Sequence, residues 1–134
     1  MTLAPEFIQT IMSPSEMASF LDEAAYQVAY YKTACEKLGE GCVEQGTLSR
    51  IPQEAKLLRT YPYVLILTSD FLTDLHTLEL FAYRRPDPEI HPLESRFQVL
   101  RQKFEGHHNN VLLAYQLGLF SFLNPKAQKA KGGS

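Results

Sequence analysis

The chain has 134 residues, 45% of them hydrophobic, with eight Phe, seven Tyr and no Trp, and a formal net charge of −2. That is the length of one domain with enough apolar side chain to bury a core. The balance excludes the globally basic field that drives nucleic-acid binding, and two cysteines are too few for a structural zinc set.

The first segment, residues 1–6, has no basic stretch followed by an apolar core, so no secretory signal is expected. Residues 5–12 are expected to form a short helix with Phe7, Ile8 and Ile11 on its apolar face. The most regular stretch is 13–38. Met17, Leu21, Ala24, Val28, Tyr31, Cys35 and Leu38 follow one another at spacings of 4, 3, 4, 3, 4 and 3, the seam of a packed helix. Ser13 and Glu16 are spaced as a capping box around Pro14, and Gly39 and Gly41 supply a stop. Ala24, Tyr31 and Cys35 are poor residues for a two-stranded coiled coil, so the seam is expected to pack against helices of the same chain. Tyr26 and Tyr30 lie one turn apart, off the seam, as a candidate aromatic anchor for a partner.

Residues 39–49, with three glycines, are expected to be a loop, and Ile51-Pro52 starts a short helix that runs through about Arg59, anchored by Leu57 and Leu58. The run 63–67 (YVLIL) fits a buried strand or the start of a helix. The 64–83 stripe of Val64, Leu67, Phe71, Leu75, Leu78 and Ala82 favours helix, and no second strand offers a pairing partner. Asp70, Asp74, His76 and Glu79 interrupt it, so it does not span a membrane. A loop with three prolines, 84–92, leads to an amphipathic helix over 92–105 with Leu93, Phe97, Leu100 and Phe104 in its stripe. A break is expected at 106–110 (GHHNN). An uncharged helix over 111–123 follows, with Ala114, Gly118 and Ser121 on its small-residue face and a length too short to cross a bilayer. The fold class is therefore all-α, a single-domain bundle of four to five helices over residues 1–125, with 126–134 as a disordered basic tail.

Charge is unevenly placed. Residues 1–48 carry seven acidic and two basic side chains (net −5), residues 49–90 six and five (−1), and residues 91–134 two and six (+4). Such polarity lets the two ends attract one another within or between molecules, or simply marks two solvated faces. Arg84, Arg85, Arg96, Arg101 and Lys103 could gather into a basic patch around the proline loop.

No constellation carries chemistry. There is no nucleophile elbow and no phosphate-cradling loop; Gly39-Glu40-Gly41 holds acid where amides and lysine are needed. His76 and Glu79 make only one reversed half of a bundle metal motif. His107 and His108 are expected at the surface. Asp70 and Asp74 are expected to face solvent or a basic helix, with Arg96 or Arg101 as partner. No catalytic residue, metal ligand or cofactor is assigned. Cys35 and Cys42 fit free thiols in a reducing cytoplasm, with a local bridge as the alternative.

The function expected is that of a non-enzymatic interaction module (adaptor, chaperone-like or assembly subunit) that self-associates or binds a protein, with Tyr26, Tyr30, Arg84, Arg85, Arg96, Arg101 and Lys103 as candidate interaction residues. The alternatives are a nucleic-acid-associated accessory protein using the basic C-terminal half, and a small ligand-binding bundle with a pocket around His76 or Asp70 and Asp74.

Overall fold

Each helix is built on the same device, a buried seam that steps alternately by four and three residues. The computed structural model describes residues 10–38 and 45–119, and among these the helices are α1 (Pro14–Leu38), α2 (Gln45–Thr60), α3 (Leu65–Arg84) and α4 (Leu93–Gln116). The α1 seam runs through Met17, Leu21, Ala24, Val28, Tyr31 and Cys35, and the α2 seam through Thr47, Ile51, Glu54 and Leu58. On α3 it is Thr68, Phe71, Leu75, Leu78 and Ala82. On α4 it is Leu93, Phe97, Leu100, Phe104, His107, Val111 and Ala114. Four polar residues, Thr47, Glu54, Thr68 and His107, thus occupy positions that face the core.

Contacts fix the topology. Phe20 stacks on Phe104 at 5.5 Å and Tyr31 meets Phe97 edge-on at 5.7 Å, so α1 and α4 run antiparallel. Phe71 meets Phe104 at 4.9 Å while Glu79 pairs with Arg101 and Tyr83 meets His91, so α3 and α4 are antiparallel too. With α1 packed on α2 and α2 on α3, the result is an up-down-up-down four-helix bundle. The α1 seam is used up inside this bundle.

Local chemistry sets the helix ends. The capping box is formed: Ser13 N–H donates to Glu16 Oε1 at 3.1 Å, and Glu16 N–H donates to Ser13 Oγ at 3.2 Å. Met12 and Met17, the residues before the cap and at the fourth helical position, are both buried in the main core, the placement of a hydrophobic staple. Between α3 and α4, Asp87 takes the Glu89 amide on its side chain and the Ile90 and His91 amides on its carbonyl. That turn drives Ile90 fully into the core. At the end of α4, Gly118 adopts φ +74°, Leu119 N–H reaches Ala114 O at 2.8 Å and Gly118 N–H reaches Tyr115 O at 3.1 Å. This is a Schellman cap, and glycine is the residue that enters that conformation without a Cβ clash.

Several sequence expectations change. α2 begins at Gln45, so part of the expected 39–49 loop is helix; Pro52 sits inside α2 on its exposed side, and of the two expected anchors Leu58 is buried while Leu57 faces out. The 63–67 run is helical from Leu65, which settles the strand alternative. There is no break at 106–110: α4 continues through it, because His107 is held in the core and the small Gly106 lies in open space on the outside. The helix expected over 111–123 ends at Gln116, with Gly118 as its cap. Residues 10–13 are not helical, while the rest of the expected 5–12 helix and the 126–134 tail lie outside the described residues. Cys35 is disulfide-bonded and not a free thiol; the chain has one other cysteine, Cys42, outside the described residues. No helix among the described residues is long and apolar enough to cross a membrane.

Two outcomes follow from this architecture. Phe104 is fully buried and joins three helices through Phe20 and Phe71, so Phe104→Ala is expected to cost about 3–5 kcal/mol of stability in urea unfolding, the range for an aromatic removed from a core. Thiol titration of the denatured, unreduced protein is expected to find no free thiol; two reactive thiols would contradict the bridge.

Candidate functional site

The sequence-selected interaction residues are dispersed over the bundle. Tyr26 and Tyr30 point outward from α1 one turn apart, 63% and 44% exposed. Arg84 ends α3, and Arg85 caps it, donating its amide to Ala82 O. Arg85 also lines a cleft of ≈ 280 Å³ with Leu38, Pro86 and Asp87. Arg96 is exposed in the second turn of α4. Arg101 leans toward α3, with Nε on Glu79 Oε1, Nη2 3.5 Å from Glu79 Oε2, and Nη1 3.4 Å from Glu105 Oε2. The Glu79 hydrogen bond pushes the Arg101 guanidinium even further toward its charged form. Lys103 leans the other way, toward α1, with Nζ 5.9 Å from the centre of the Phe20 ring. Arg101 and Lys103 therefore serve opposite seams of α4.

The buried polar groups form two centres. In the first, His107 is only 1% exposed, contrary to the expectation of a surface residue. Met12 N–H donates to its Nδ1 at 3.0 Å, so Nδ1 is unprotonated, and Nε2 lies 3.0 Å from Pro62 O, which can only accept. The imidazole is therefore neutral with its proton on Nε2. Tyr63 OH donates to Met12 O at 3.0 Å and Tyr115 OH donates to Tyr63 O at 3.0 Å, so α4, the turn before α3 and the segment before α1 are laced together. Burial is the main cause that pushes the His107 pKa below its ordinary value. The next residue, His108, sits with Nδ1 2.6 Å from Thr68 Oγ1 and is also shifted down by burial. This hydroxyl–imidazole pair resembles an activated nucleophile only superficially: Thr68 is fully buried and its hydroxyl is also bonded to Leu65 O at 3.0 Å, so no substrate reaches it.

The second centre lies between α2 and α3. Asp74 is buried and receives Arg50 through two bonds, Nε to Oδ2 at 3.3 Å and Nη2 to Oδ1 at 3.0 Å. Arg50 Nη2 also donates to Thr47 Oγ1 at 3.1 Å. The basic partner of Asp74 is thus Arg50 on α2, whereas Arg101 is committed to Glu79 and Glu105. Asp70, one turn earlier, is exposed. His76 Nδ1 stands 3.6 Å from Glu79 Oε1, on a carboxylate that already faces Arg101. Among the described residues no group of three or more His, Cys, Asp or Glu is placed to hold a metal ion.

Arg50, Glu54, Thr68 and His107 were not singled out as structural centres by the sequence, although all but Arg50 lie in register with an apolar seam. No family model, no curated protein and no solved structure matches this chain.

The neutral His107 makes folding depend on pH. An unfolded histidine takes up a proton near 6.5, while the buried one resists it, so the unfolded state binds more protons as pH falls below about 6.5 and stability drops. The contribution is fully present above the unfolded value and is lost as pH falls through the lower folded value. His108 adds a slope of the same sign. Urea unfolding from pH 7.5 downward should show this loss, and His107→Leu should be less stable at neutral pH with the acid-side slope reduced by one proton. An unchanged slope in that variant would contradict the neutral tautomer.

Proposed function

We propose that the chain is a non-enzymatic helical interaction module that associates with itself or with a protein partner through apolar side chains on the outside of the bundle. The observation that carries this reading is the Tyr26–Tyr30 ridge. It lies on the outer side of a helix whose seam is already buried, and it presents two adjacent rings with polar tips, the kind of side chain that interfaces favour. Ile66, Val99 and Tyr83 add further exposed apolar area.

The two other readings have less support. A nucleic-acid surface would draw on Arg101, whose guanidinium is engaged by Glu79 and Glu105. A ligand pocket around His76 or Asp70 and Asp74 would draw on Asp74, which Arg50 engages, and on His76, which stands beside the Glu79 carboxylate that Arg101 engages. On location, the disulfide at Cys35 fits an oxidising compartment better than the reducing cytoplasm expected from the sequence.

Light scattering on a sizing column, at low and high salt and over a range of concentrations, tests the proposal. The wild type should exceed the 15.2 kDa monomer mass at both salts, because an apolar contact is insensitive to screening. Tyr26→Ala/Tyr30→Ala should return it to monomer with its helical circular dichroism intact. A double variant as large as the wild type would remove the tyrosines from the interface, and a wild type that stays monomeric throughout would end the self-association reading.

A further inference from the structure

Glu54 stands at a seam position of α2, between Ile51 and Leu58, where the pattern of the helix calls for an apolar residue. It is 9% exposed and its Oε1 has no hydrogen-bond partner. Across the seam on α3, Asp74 is 4% exposed and has both carboxylate oxygens engaged by Arg50. Glu54 follows Arg50 by one turn of α2, which places its buried carboxyl beside the Arg50–Asp74 pair. The charges acting on Glu54 are Asp74 and Asp70 from α3 and Arg50 from its own helix; α1, packed on the other side of α2, adds none among the described residues. Two buried carboxyl groups therefore share one seam with one half-exposed guanidinium, and that guanidinium is oriented on Asp74. Two carboxylates in such a place repel one another, whereas an acid and a carboxylate attract through a shared proton.

We propose that the α2–α3 seam is a proton-dependent latch, in which the protonated Glu54 carboxyl donates a hydrogen bond to the Asp74 carboxylate and loss of that proton loosens α2 from α3. The inference is independent of the interaction reading above. Burial comes first and the Asp74 hydrogen bond second among the causes that push the Glu54 pKa up to about 8. The latched state therefore keeps the proton through the neutral range, while an opened α2, with Glu54 in water, releases it near 4.5. The latch is strongest below the lower value, weakens as pH rises between the two, and reaches its floor above the higher one. Opening would uncover Ile51, Ala55 and Leu58, which share the buried face of α2 with Glu54.

The test is carried out by NMR on the full-length chain. The Glu54 side-chain carboxyl carbon, assigned by its disappearance in Glu54→Gln, is titrated from pH 4 to 9.5, and amide-exchange protection along α2 is followed over the same range after correction for intrinsic exchange. Glu54 is expected to titrate well above the ordinary carboxylate range. Local opening of α2 should increase by up to tenfold per pH unit between 6.5 and 8, a window above the histidine effects, and then level off. Glu54→Gln keeps a donor toward Asp74 and should hold α2 protection constant across that window. Titration of Glu54 near its ordinary value overturns the proposal, and so does α2 protection that does not change with pH in the wild type. Both of these wild-type measurements stand even if Glu54→Gln does not fold.

Discussion

A single neutral imidazole ties the ends of the structure together. His107 accepts the Met12 amide on one nitrogen and gives its proton to Pro62 O with the other, at 3.0 Å in each case, and it does so from the middle of the α4 seam. Met12 is the residue that leads into the α1 capping box, and Pro62 lies in the turn between α2 and α3. The direction in which α1 leaves and the position of that turn are therefore both set against α4. Tyr63 and Tyr115 repeat the tie one layer out. Replacing the ring with an apolar residue would leave a buried amide and a buried carbonyl without partners, at about 1–3 kcal/mol for each. A protonated ring would have a second N–H pointing at the Met12 donor.

His107 is one of several polar residues inserted into otherwise apolar seams. Thr68 and Thr47 satisfy their hydroxyls with Leu65 O and with Arg50, and Glu54 faces Asp74. Polar groups at such positions cost stability but restrict which helix faces which, since an alternative register would leave them unpartnered. The aromatic residues do complementary work. Phe20, Phe71 and Phe104 fill the space between α1, α3 and α4 with few, large side chains. The bundle is thus specified by polar partners and filled by rings.

Much of this was legible in the sequence. The α1 seam from Met17 to Cys35 and its capping box are found as the spacing implies, because local backbone chemistry and periodicity agree there, whereas Leu38, the last residue of that spacing, is exposed. The all-α class and the helical state of residues 65–83 follow from the same periodicity. GHHNN looks like a loop by composition, which ends the expected helix at residue 105 where α4 runs on to Gln116. The 4-3-4 rhythm of Leu93, Phe97, Leu100 and Phe104 in fact continues through His107, Val111 and Ala114, so periodicity was the better guide than residue type. Residue type hides Glu54 in the same way, since a carboxyl at a seam position resembles a surface residue until its neighbours are known. The Arg50–Asp74 pair joins residues 24 apart on different helices, and no local pattern distinguishes Arg50 from the other arginines. The outward placement of Tyr26 and Tyr30 leaves a tyrosine ridge on α1 that the bundle itself does not use.

The most direct test of this account is the pH dependence of the His107 ring nitrogens followed by 15N NMR. One tautomer is expected, with Nδ1 unprotonated and Nε2 protonated, and it persists below pH 6.5 in the folded bundle. A ring that titrates near its ordinary value in the folded protein, or that populates both tautomers, would contradict it.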